Sequence, residues 1–368
     1  MSRQFKVATV QAAPSFLDVE TGVRRAVGYI EEAAKGGAKL VVFPETWLPG
    51  YPNHIWLGPV AWGMQFVGRY FENSVVAGLD HDRAIARAAR DNSIQVSMGL
   101  SERAGGSLYI AQWHYGEDGK IIKRRRSKLK PTHVECTVFG EGDGSDLAVS
   151  ETTIGRVGQL SCWEHLQPLS KYAMYAQNEQ IHCAAWPNLA LYEGGAYALG
   201  HQVNNGASMV YAVKGGCFVV AACALVSKKQ QDVLCDGDPA CEALCPVGGG
   251  YTKIYALDGQ SIGTEIPHTA EGLVTADIDL SMIAYAKAVA DPAGHYSRSD
   301  VTGLMLNAKP QRRVMAFDET FGLVTDLALN VPNSKWSKPS SERPRPRRAV
   351  GASPSAPLLP ETDHADPR

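Results

Sequence analysis

The chain has 368 residues, of which 36 are Lys or Arg and 38 are Asp or Glu, so its formal net charge is −2. This balance argues against a nucleic-acid binder as the main role, because no basic excess is present to displace counterions from phosphates. Its hydrophobic residues, 45% of the total, are enough for the core of one large α/β domain.

The first predicted elements form a strand–helix–strand unit. Residues 5–11 alternate in polarity as a strand does, and Asp18 is placed to cap a helix that runs to about Lys35. Residues 39–43 form a short apolar run of the kind found in buried parallel strands. A helical crossover between the two strands makes them parallel.

The same alternation of helices and strands continues to about residue 290. Further strands are predicted at 94–100, 107–115, 120–124, 156–161, 181–186, 217–226, 251–256 and 272–278, and further helices at 82–89, 169–179, 196–211 and 281–290. A Gly-Glu-Asp-Gly turn at 116–119 indicates a hairpin between two of the strands. The fold class is therefore α/β with mixed sheets.

The composition changes near Lys335. Residues 335–368 hold seven of the 21 prolines and almost no large apolar side chains. Such a segment cannot bury enough apolar surface to fold alone, so we predict a disordered Pro/Arg-rich tail, with a partner-bound segment as the alternative. Three parts are expected: a main domain over 1–310, an extension over 311–334 and the tail over 335–368.

Neither a membrane nor an oxidising compartment is expected. The longest apolar run, Cys217 to Val226, is too short to span a bilayer, and no signal-peptide pattern opens the chain. The eight cysteines are scattered through a long chain, which favours free thiols in a reducing cytoplasm over a disulfide framework. Cys235, Cys241 and Cys245 fit no common zinc spacing and are interpreted as loop cysteines.

Cys162 is the first candidate for chemistry. It follows the predicted strand 156–161, and the carboxyl ends of parallel strands face the crevice where α/β sheets place their sites. A thiol near a helix start can have a depressed pKa, which would make it a nucleophile. The alternative is a buried structural cysteine, since most free cysteines have that role.

A carboxylate and a basic run are the other candidates. Glu45 follows the predicted strand 39–43 and is either a general base at a cleft mouth or a surface loop residue. The basic run 123–130 is typical of a solvated edge strand. Alternation puts Lys128 on the same face as Arg126 and Lys130, so spacing does not say which cation points inward. Together, a cysteine, a cation and a carboxylate could make an activated nucleophile.

Five motifs in one order resemble the nitrilase branch of the carbon–nitrogen hydrolase superfamily. They cover roughly residues 5–310 and read VFPETWLPGYP at 42–52, KLKPTHVE at 128–135, VFGEGDGS at 138–145, SCWEH at 161–165 and DPAGHYS at 291–297. Any one of them alone would be a weak signal, whereas five in register are specific. The resemblance implies an α-β-β-α sandwich of two mixed sheets with outer helices.

The resemblance also implies a cofactor-free and metal-free reaction on a small organic nitrile. Cys162 matches the nucleophile, Glu45 the general base and acid, Lys128 the family lysine and Glu135 the second glutamate. The nitrile would become a thioimidate, then a thioester, and finally a carboxylic acid with release of ammonia. Lys128 would stabilise the tetrahedral state.

Candidate pocket residues are Tyr51, Trp163, His165 and Trp186. His165 could instead form a Cys–His dyad with Cys162, which lies three residues before it. The rival activities are an amidase or a cyanide-hydrolysing enzyme of the same superfamily, and an inactive assembly-forming homologue is a third alternative. Relatives in this branch assemble, which implies a homo-oligomer of dimers in spirals or filaments.

Overall fold

Two β-sheets packed face to face form the centre of the molecule. The computed structural model describes residues 3–311, 316–317 and 323–324, with the backbone alone at 124–126, 316–317 and 323–324. The strands of the two sheets are β1 (Gln4–Gln11), β2 (Ala38–Val42), β3 (Gln95–Ala104), β4 (Ser107–Tyr115), β5 (Ile121–Ser127), β6 (Ser150–Thr152), β7 (Gly155–Ser161), β8 (Ile181–Trp186), β9 (Phe218–Cys223), β10 (Lys253–Tyr255) and β11 (Gly272–Asp279).

Both sheets are mixed. The first has the order β11-β1-β2-β3-β4-β5, with β1, β2 and β3 parallel to one another and antiparallel pairs elsewhere. The second has the order β10-β9-β8-β7-β6, with β7, β8 and β9 parallel. A buried apolar cluster joins the inner faces of the sheets, with Val7 and Leu40 from the first and Val157 and Val220 from the second.

Helices cover the outer faces and complete an α-β-β-α sandwich. They are α1 (Val19–Lys35), α2 (His54–Leu57), α3 (Val60–Glu72), α4 (Asp80–Asp91), α5 (Pro168–Tyr175), α6 (His201–Gly215), α7 (Lys228–Cys235), α8 (Pro239–Leu244) and α9 (Ile283–Val289). The core under α1 and α4 backs the first sheet, and a second core under α5 and α6 backs the second. The fold class predicted from the sequence is confirmed.

Helix α1 shows how the local sequence sets an element. Asp18 caps it by accepting a hydrogen bond from Thr21 N at 3.0 Å. Val23, Ala26 and Ile30 recur at helical spacing and are buried against the sheet, and Gly36 follows the last helical residue. Among the described residues, no helix has the length and apolar character needed to cross a membrane.

Several boundaries and elements differ from the sequence prediction. The helix predicted at 169–179 ends at Tyr175, and the one predicted at 196–211 is a short 3₁₀ turn (Tyr197–Leu199) followed by α6. The sequence analysis missed α2 and α3 as well as α7 and α8. The predicted tail at 335–368 and nearly all of the extension at 311–334 lie outside the described residues, and the strand pair at Ala316–Phe317 and Leu323–Val324 belongs to a separate unit.

The interpretation of Cys235 and Cys241 as loop cysteines was wrong. Cys235 is the last residue of α7 and Cys241 lies in α8, and the two form a disulfide. The short turn between these helices brings the two Cα atoms to 5.3 Å, within the range that a disulfide spans. The six other cysteines are free, so this single bridge is not a disulfide framework.

Candidate active site

The four predicted catalytic side chains meet where strands of the two sheets end. Glu45 follows β2, Lys128 follows β5 and Glu135 lies in a 3₁₀ turn (His133–Thr137), all on the side of the first sheet. Cys162 follows β7 in the second sheet. One carboxylate oxygen of each glutamate and the Cys162 sulfur lie within 4.8 Å of one another, and all four residues are buried.

The loop after β2 holds Glu45 against both sheets. The Glu45 N–H donates to Trp186 O at 3.2 Å, which ties the loop to the end of β8. The loop also runs close to β3, where Gly99 leaves room for it, because a Cβ there would lie 1.8 Å from Pro44 O. Any side chain at position 99 would therefore displace the backbone that carries Glu45.

Lys128, which follows the basic strand β5, points inward. Strand β5 ends at Ser127, and the Lys128 N–H donates to Ile110 O at 2.8 Å while Gly142 N–H donates to Lys128 O at 2.9 Å. The Lys128 side chain is fully buried, whereas the Lys130 side chain is 68% exposed. Strand alternation could not separate the two lysines because the strand has ended before either residue.

Lys128 bridges the two glutamates, and the glutamates differ in how many bonds they accept. Its Nζ donates to Glu45 Oε1 at 3.1 Å and to Glu135 Oε2 at 2.7 Å. Glu135 also accepts from Tyr51 OH at 2.8 Å and from Thr132 N at 2.6 Å. The second oxygen of Glu45 has no hydrogen-bond partner among the described residues. Glu135 is thus fixed by three hydrogen bonds, whereas the side-chain bond to Glu45 comes from Lys128 and reaches only one of its two oxygens.

Burial and charge shift the pKa values of this group. Burial raises the pKa of Glu45 to about 8, although Lys128 works in the opposite direction. Burial alone would lower the pKa of Lys128, but Glu135 and Glu45 raise it well above its usual range. Lys128 therefore stays charged, while Glu45 can exchange a proton near neutral pH, which suits a general base and acid.

The predicted depression of the Cys162 pKa was wrong. Burial raises the pKa of the thiol well above its usual range, and Lys128 offsets only part of that rise. The resting residue is a buried thiol that needs a base to remove its proton.

Cys162 sits in a strained turn that aims its side chain. Its φ is 50°, in the left-handed region that non-glycine residues adopt only rarely. The residue begins a 3₁₀ turn (Cys162–Leu166), so the chain bends sharply as it leaves β7. The bend places the sulfur at the carboxyl edge of the sheet, toward Glu45 and Lys128.

Glu164 connects the two halves of the site, and the sequence analysis did not identify it. Its carboxylate accepts from Ser161 N at 2.8 Å and from Leu129 N at 2.9 Å, so it ties the cysteine turn to the residue after Lys128. A signal was present, because Ser161–Glu164 and Thr132–Glu135 both have the Ser/Thr-x-x-Glu spacing of a capping box, and both boxes form.

An aromatic and aliphatic pocket opens beside Cys162. Its walls are Tyr51, Asn53, Trp56, Thr132, Glu135, Cys162, Trp163, Pro187, Asn188, Leu189, Leu191, Leu199 and Asn204. Tyr51 and Trp163, predicted as pocket residues, lie in these walls.

His165 and Trp186, also named as pocket residues, lie outside these walls. Trp186 is buried, donates its indole N–H to Ser208 Oγ and stacks on His165. The His165 ring bonds to the Cys162 carbonyl at 2.6 Å and to His182 at 2.9 Å. With both ring nitrogens in these bonds, His165 is not placed as the base of a Cys–His dyad.

The thiol and the two carboxylates form the one cluster among the described residues with the spacing of a metal site. Lys128 Nζ lies between the carboxylates, at 3.1 and 2.7 Å, in the position that a cation would take. The ammonium therefore supplies the positive charge of this cluster.

The chain matches known proteins over most of its length. The carbon-nitrogen hydrolase family profile matches residues 6–288. A nitrilase of Pseudomonas syringae pv. syringae is 51% identical over 95% of this chain and 99% of the relative, and an arylacetone-specific nitrilase of Alcaligenes faecalis is 48% identical over 84% and 87%.

Solved structures share the fold. A carbon-nitrogen hydrolase of Helicobacter pylori covers 81% of this chain and 96% of its own, with a TM-score of 0.63 at 18% identity. The family profile and the relatives indicate the same family and branch that the sequence motifs resemble. The chain belongs to the carbon-nitrogen hydrolase family and, within it, to the nitrilase branch.

Proposed function

We propose that this enzyme hydrolyses an organic nitrile to a carboxylic acid and ammonia, with Cys162 as the nucleophile. The observation that carries the proposal is the buried group in which the Cys162 sulfur lies within 4.8 Å of two carboxylates that Lys128 bridges. The pocket beside Cys162 is lined mostly by carbon, as expected for a small organic substrate.

The first step is formation of a thioimidate. Glu45 takes the thiol proton, the sulfur attacks the nitrile carbon, and the nitrile nitrogen receives a proton from the protonated Glu45. The carbon–nitrogen triple bond becomes a double bond, and no atom leaves. The free oxygen of Glu45 and its pKa of about 8 support this role.

Two waters complete the reaction. The first water adds to the thioimidate carbon, and Glu45 passes both of the water's protons in turn to the nitrogen, so the tetrahedral product expels ammonia and leaves a thioester. Glu45 then removes a proton from the second water, whose attack releases the acid and the Cys162 thiol. Lys128 stabilises the charge of each tetrahedral state, and Glu135 holds the ammonium in place through its own three bonds.

The test is ammonia release from a panel of nitriles, the matching amides and cyanide. We expect turnover of organic nitriles and, on stopping the reaction in acid, a mass increase on Cys162 equal to the acyl group. Turnover of amides alone would assign the site to an amidase, and turnover of cyanide alone would assign it to cyanide hydrolysis. No turnover of any of them, with Cys162 still unmodified, would favour an inactive homologue.

We propose further that the enzyme is a homo-oligomer, built from dimers that extend into spirals or filaments. Apolar side chains beside and within α9 support a contact with a second copy, since Met282 is 47%, Tyr285 70% and Val289 82% exposed. Light scattering on wild type and on Tyr285→Asp tests this. A particle size that is the same in both, or a wild-type monomer, would contradict it.

Two further proposals concern the compartment and the tail. We propose that the enzyme works in the cytoplasm, because six of its eight cysteines, Cys162 among them, are free thiols and the one disulfide, between Cys235 and Cys241, links residues only six apart. We also propose that the catalytic domain spans 1–310, since one compact unit reaches residue 315. A chain that ends at Pro332 should then keep its turnover per site, which activity and light scattering on one sample would measure.

A further inference from the structure

A continuous chain of buried hydrogen bonds leads from Tyr211 to the backbone of Cys162. Tyr211 OH donates to Glu179 Oε2 at 2.6 Å, and Glu179 Oε1 lies 2.7 Å from His182 Nδ1. His182 Nε2 lies 2.9 Å from His165 Nε2, and His165 Nδ1 lies 2.6 Å from the Cys162 carbonyl oxygen. All four side chains are at most 1% exposed, and none lines the pocket, so they cannot bind the substrate.

The hydrogen bonds determine how many protons this chain holds. A carbonyl oxygen only accepts, so His165 Nδ1 carries a proton. A second proton lies between the two Nε2 atoms and a third between His182 Nδ1 and Glu179. Two neutral imidazoles and a carboxylate would hold one proton fewer, so the three groups together are electrically neutral.

The extra proton strengthens the hydrogen bond that His165 Nδ1 donates to the Cys162 carbonyl oxygen. It places either an imidazolium beside the Glu179 carboxylate or a protonated Glu179 beside two neutral rings. In both arrangements His165 Nδ1 donates to the Cys162 carbonyl, whereas the bond between His182 and Glu179 is donated by His182 in the first and by Glu179 in the second. Burial and the Glu179 carboxylate raise the pKa of Tyr211, so its hydroxyl stays a donor at the far end. Bonds in such a buried chain polarise one another.

The Cys162 carbonyl belongs to the same planar peptide unit as the Trp163 N–H. Because the peptide unit is planar, a bond that fixes the Cys162 carbonyl also fixes the orientation of the Trp163 N–H. The φ of 50° at Cys162 shows that the turn needs such support from its surroundings. The His165 donor on the carbonyl oxygen thus holds the turn that carries the sulfur.

We propose that Tyr211, Glu179, His182 and His165 form a positioning relay that fixes the Cys162–Trp163 peptide and, with it, the strained turn that places the nucleophilic sulfur. Glycine at position 158 in β7 belongs to the same design, because a Cβ there would lie 1.9 Å from Glu179 Oε1. The relay raises the reactivity of Cys162 without contacting the substrate. Its value for turnover rests on the proposed function, but its effect on the thiol can be measured without a nitrile.

The experiment compares Tyr211→Phe with the matched control Tyr175→Phe. The Tyr175 ring packs on Tyr211 with centroids 4.8 Å apart, and its buried hydroxyl has no hydrogen-bond partner among the described residues. His165→Phe removes the bond to the Cys162 carbonyl, and His165→Asn returns a donor near that position. All variants carry Cys136→Ser, because Cys136 is the exposed free cysteine.

The readouts are the rate of Cys162 alkylation by iodoacetamide across pH, kcat and KM on a nitrile, and thermal unfolding. We expect His165→Phe to lower alkylation and kcat about thirtyfold with KM nearly unchanged, His165→Asn to recover part of the loss, and Tyr211→Phe to lose about fivefold. Tyr175→Phe should stay within about twofold of wild type. Lys128, Glu45 and Glu135 also face the thiol and are unchanged in every variant.

Folded Tyr211→Phe and His165→Phe proteins with wild-type alkylation would overturn the relay. If these variants do not fold, the relay is tested by NMR on the wild-type protein with ¹⁵N-labelled histidine. Alkylation of Cys162 should shift the ring N–H signals of both His165 and His182. Unshifted signals would also overturn it. A wild-type enzyme that is alkylated at Cys162 but hydrolyses no nitrile would contradict the proposed function. The comparison of alkylation rates among the relay variants would still be valid.

Discussion

Lys128 Nζ lies 2.7 Å from Glu135 Oε2 in a place where neither side chain is more than 1% exposed. A buried ion pair of this kind adds little net stability, because the cost of removing both charges from water is close to the gain from their attraction. Removal of either Lys128 or Glu135 alone would leave the other charge buried without its partner. The pair is therefore better explained by what the ammonium does for the Cys162 sulfur and Glu45 beside it.

Replacement of Lys128 by Arg should nearly abolish turnover. The guanidinium keeps the charge, but it is planar and larger than the ammonium, so it cannot bond Glu45 and Glu135 at the observed distances. We expect kcat to fall by at least about a hundredfold, the size of effect that loss of one transition-state donor gives. Ammonia release measures the rate, and circular dichroism checks the fold.

Lys130→Ala is the control for this variant. Lys130 is 68% exposed and pairs with Glu141, so its loss should change turnover by less than about twofold. An inactive Lys130→Ala enzyme beside an active Lys128→Ala enzyme would show that the assignment within the basic run is wrong.

Cys162→Ala should abolish ammonia release and leave the fold intact, because the covalent path needs the sulfur. Cys136→Ser is the matched control, since Cys136 is exposed and lies outside the pocket walls. A Cys162→Ala enzyme that keeps more than about a hundredth of the wild-type rate would rule out covalent catalysis by this residue.

The sequence predicted the positions of local elements well but not the geometry and pKa values within the site. Strand β1, helix α1 and strand β2 follow from local periodicity and a cap, so they were placed within a residue or two. The inward direction of Lys128 depends on where β5 ends, and the pKa of Cys162 depends on burial by distant elements. Neither is a local property. The bond from Glu164 to Leu129 joins residues 35 apart, so the pairing could not be read from spacing alone.

Tyr51→Phe should lower turnover while substrate binding changes less. The Tyr51 hydroxyl donates to Glu135 at 2.8 Å and accepts from Trp56 Nε1 at 2.9 Å, so its loss removes one of the bonds that hold Glu135. We expect kcat to fall about tenfold, in line with the loss of one hydrogen bond to a charged group. Steady-state kinetics on one nitrile give kcat and KM, and Tyr296→Phe, at a side chain that is 73% exposed, is the control. An unchanged kcat would show that Glu135 is held without Tyr51.

The pH dependence of turnover should have a rising limb that ends near pH 8. Glu45 acts as a base in its ionised form, and burial raises its pKa to about 8, so the active fraction grows as pH rises toward that value. We expect kcat/KM to increase about tenfold per pH unit below the limb and to level off above it. A limb that levels off below about pH 6 would mean that Glu45 is not the base, or that its pKa is not raised.

The same shift predicts that Glu45 destabilises the folded protein as pH rises. Between the ordinary glutamate pKa of 4.5 and the folded value of about 8, the native state binds a proton that the unfolded state has released. Stability therefore falls with increasing pH in this window, on the order of 1 kcal/mol per pH unit for one proton. Glu45→Gln cannot ionise and escapes this loss, so it should gain stability over wild type from pH 5 to pH 8 and show little difference below that range. Urea unfolding of both proteins at several pH values measures the difference, and Glu141→Gln, whose side chain is 57% exposed, should show no such trend. A stability difference that stays constant with pH would indicate that Glu45 is ionised in the folded enzyme throughout, held so by Lys128.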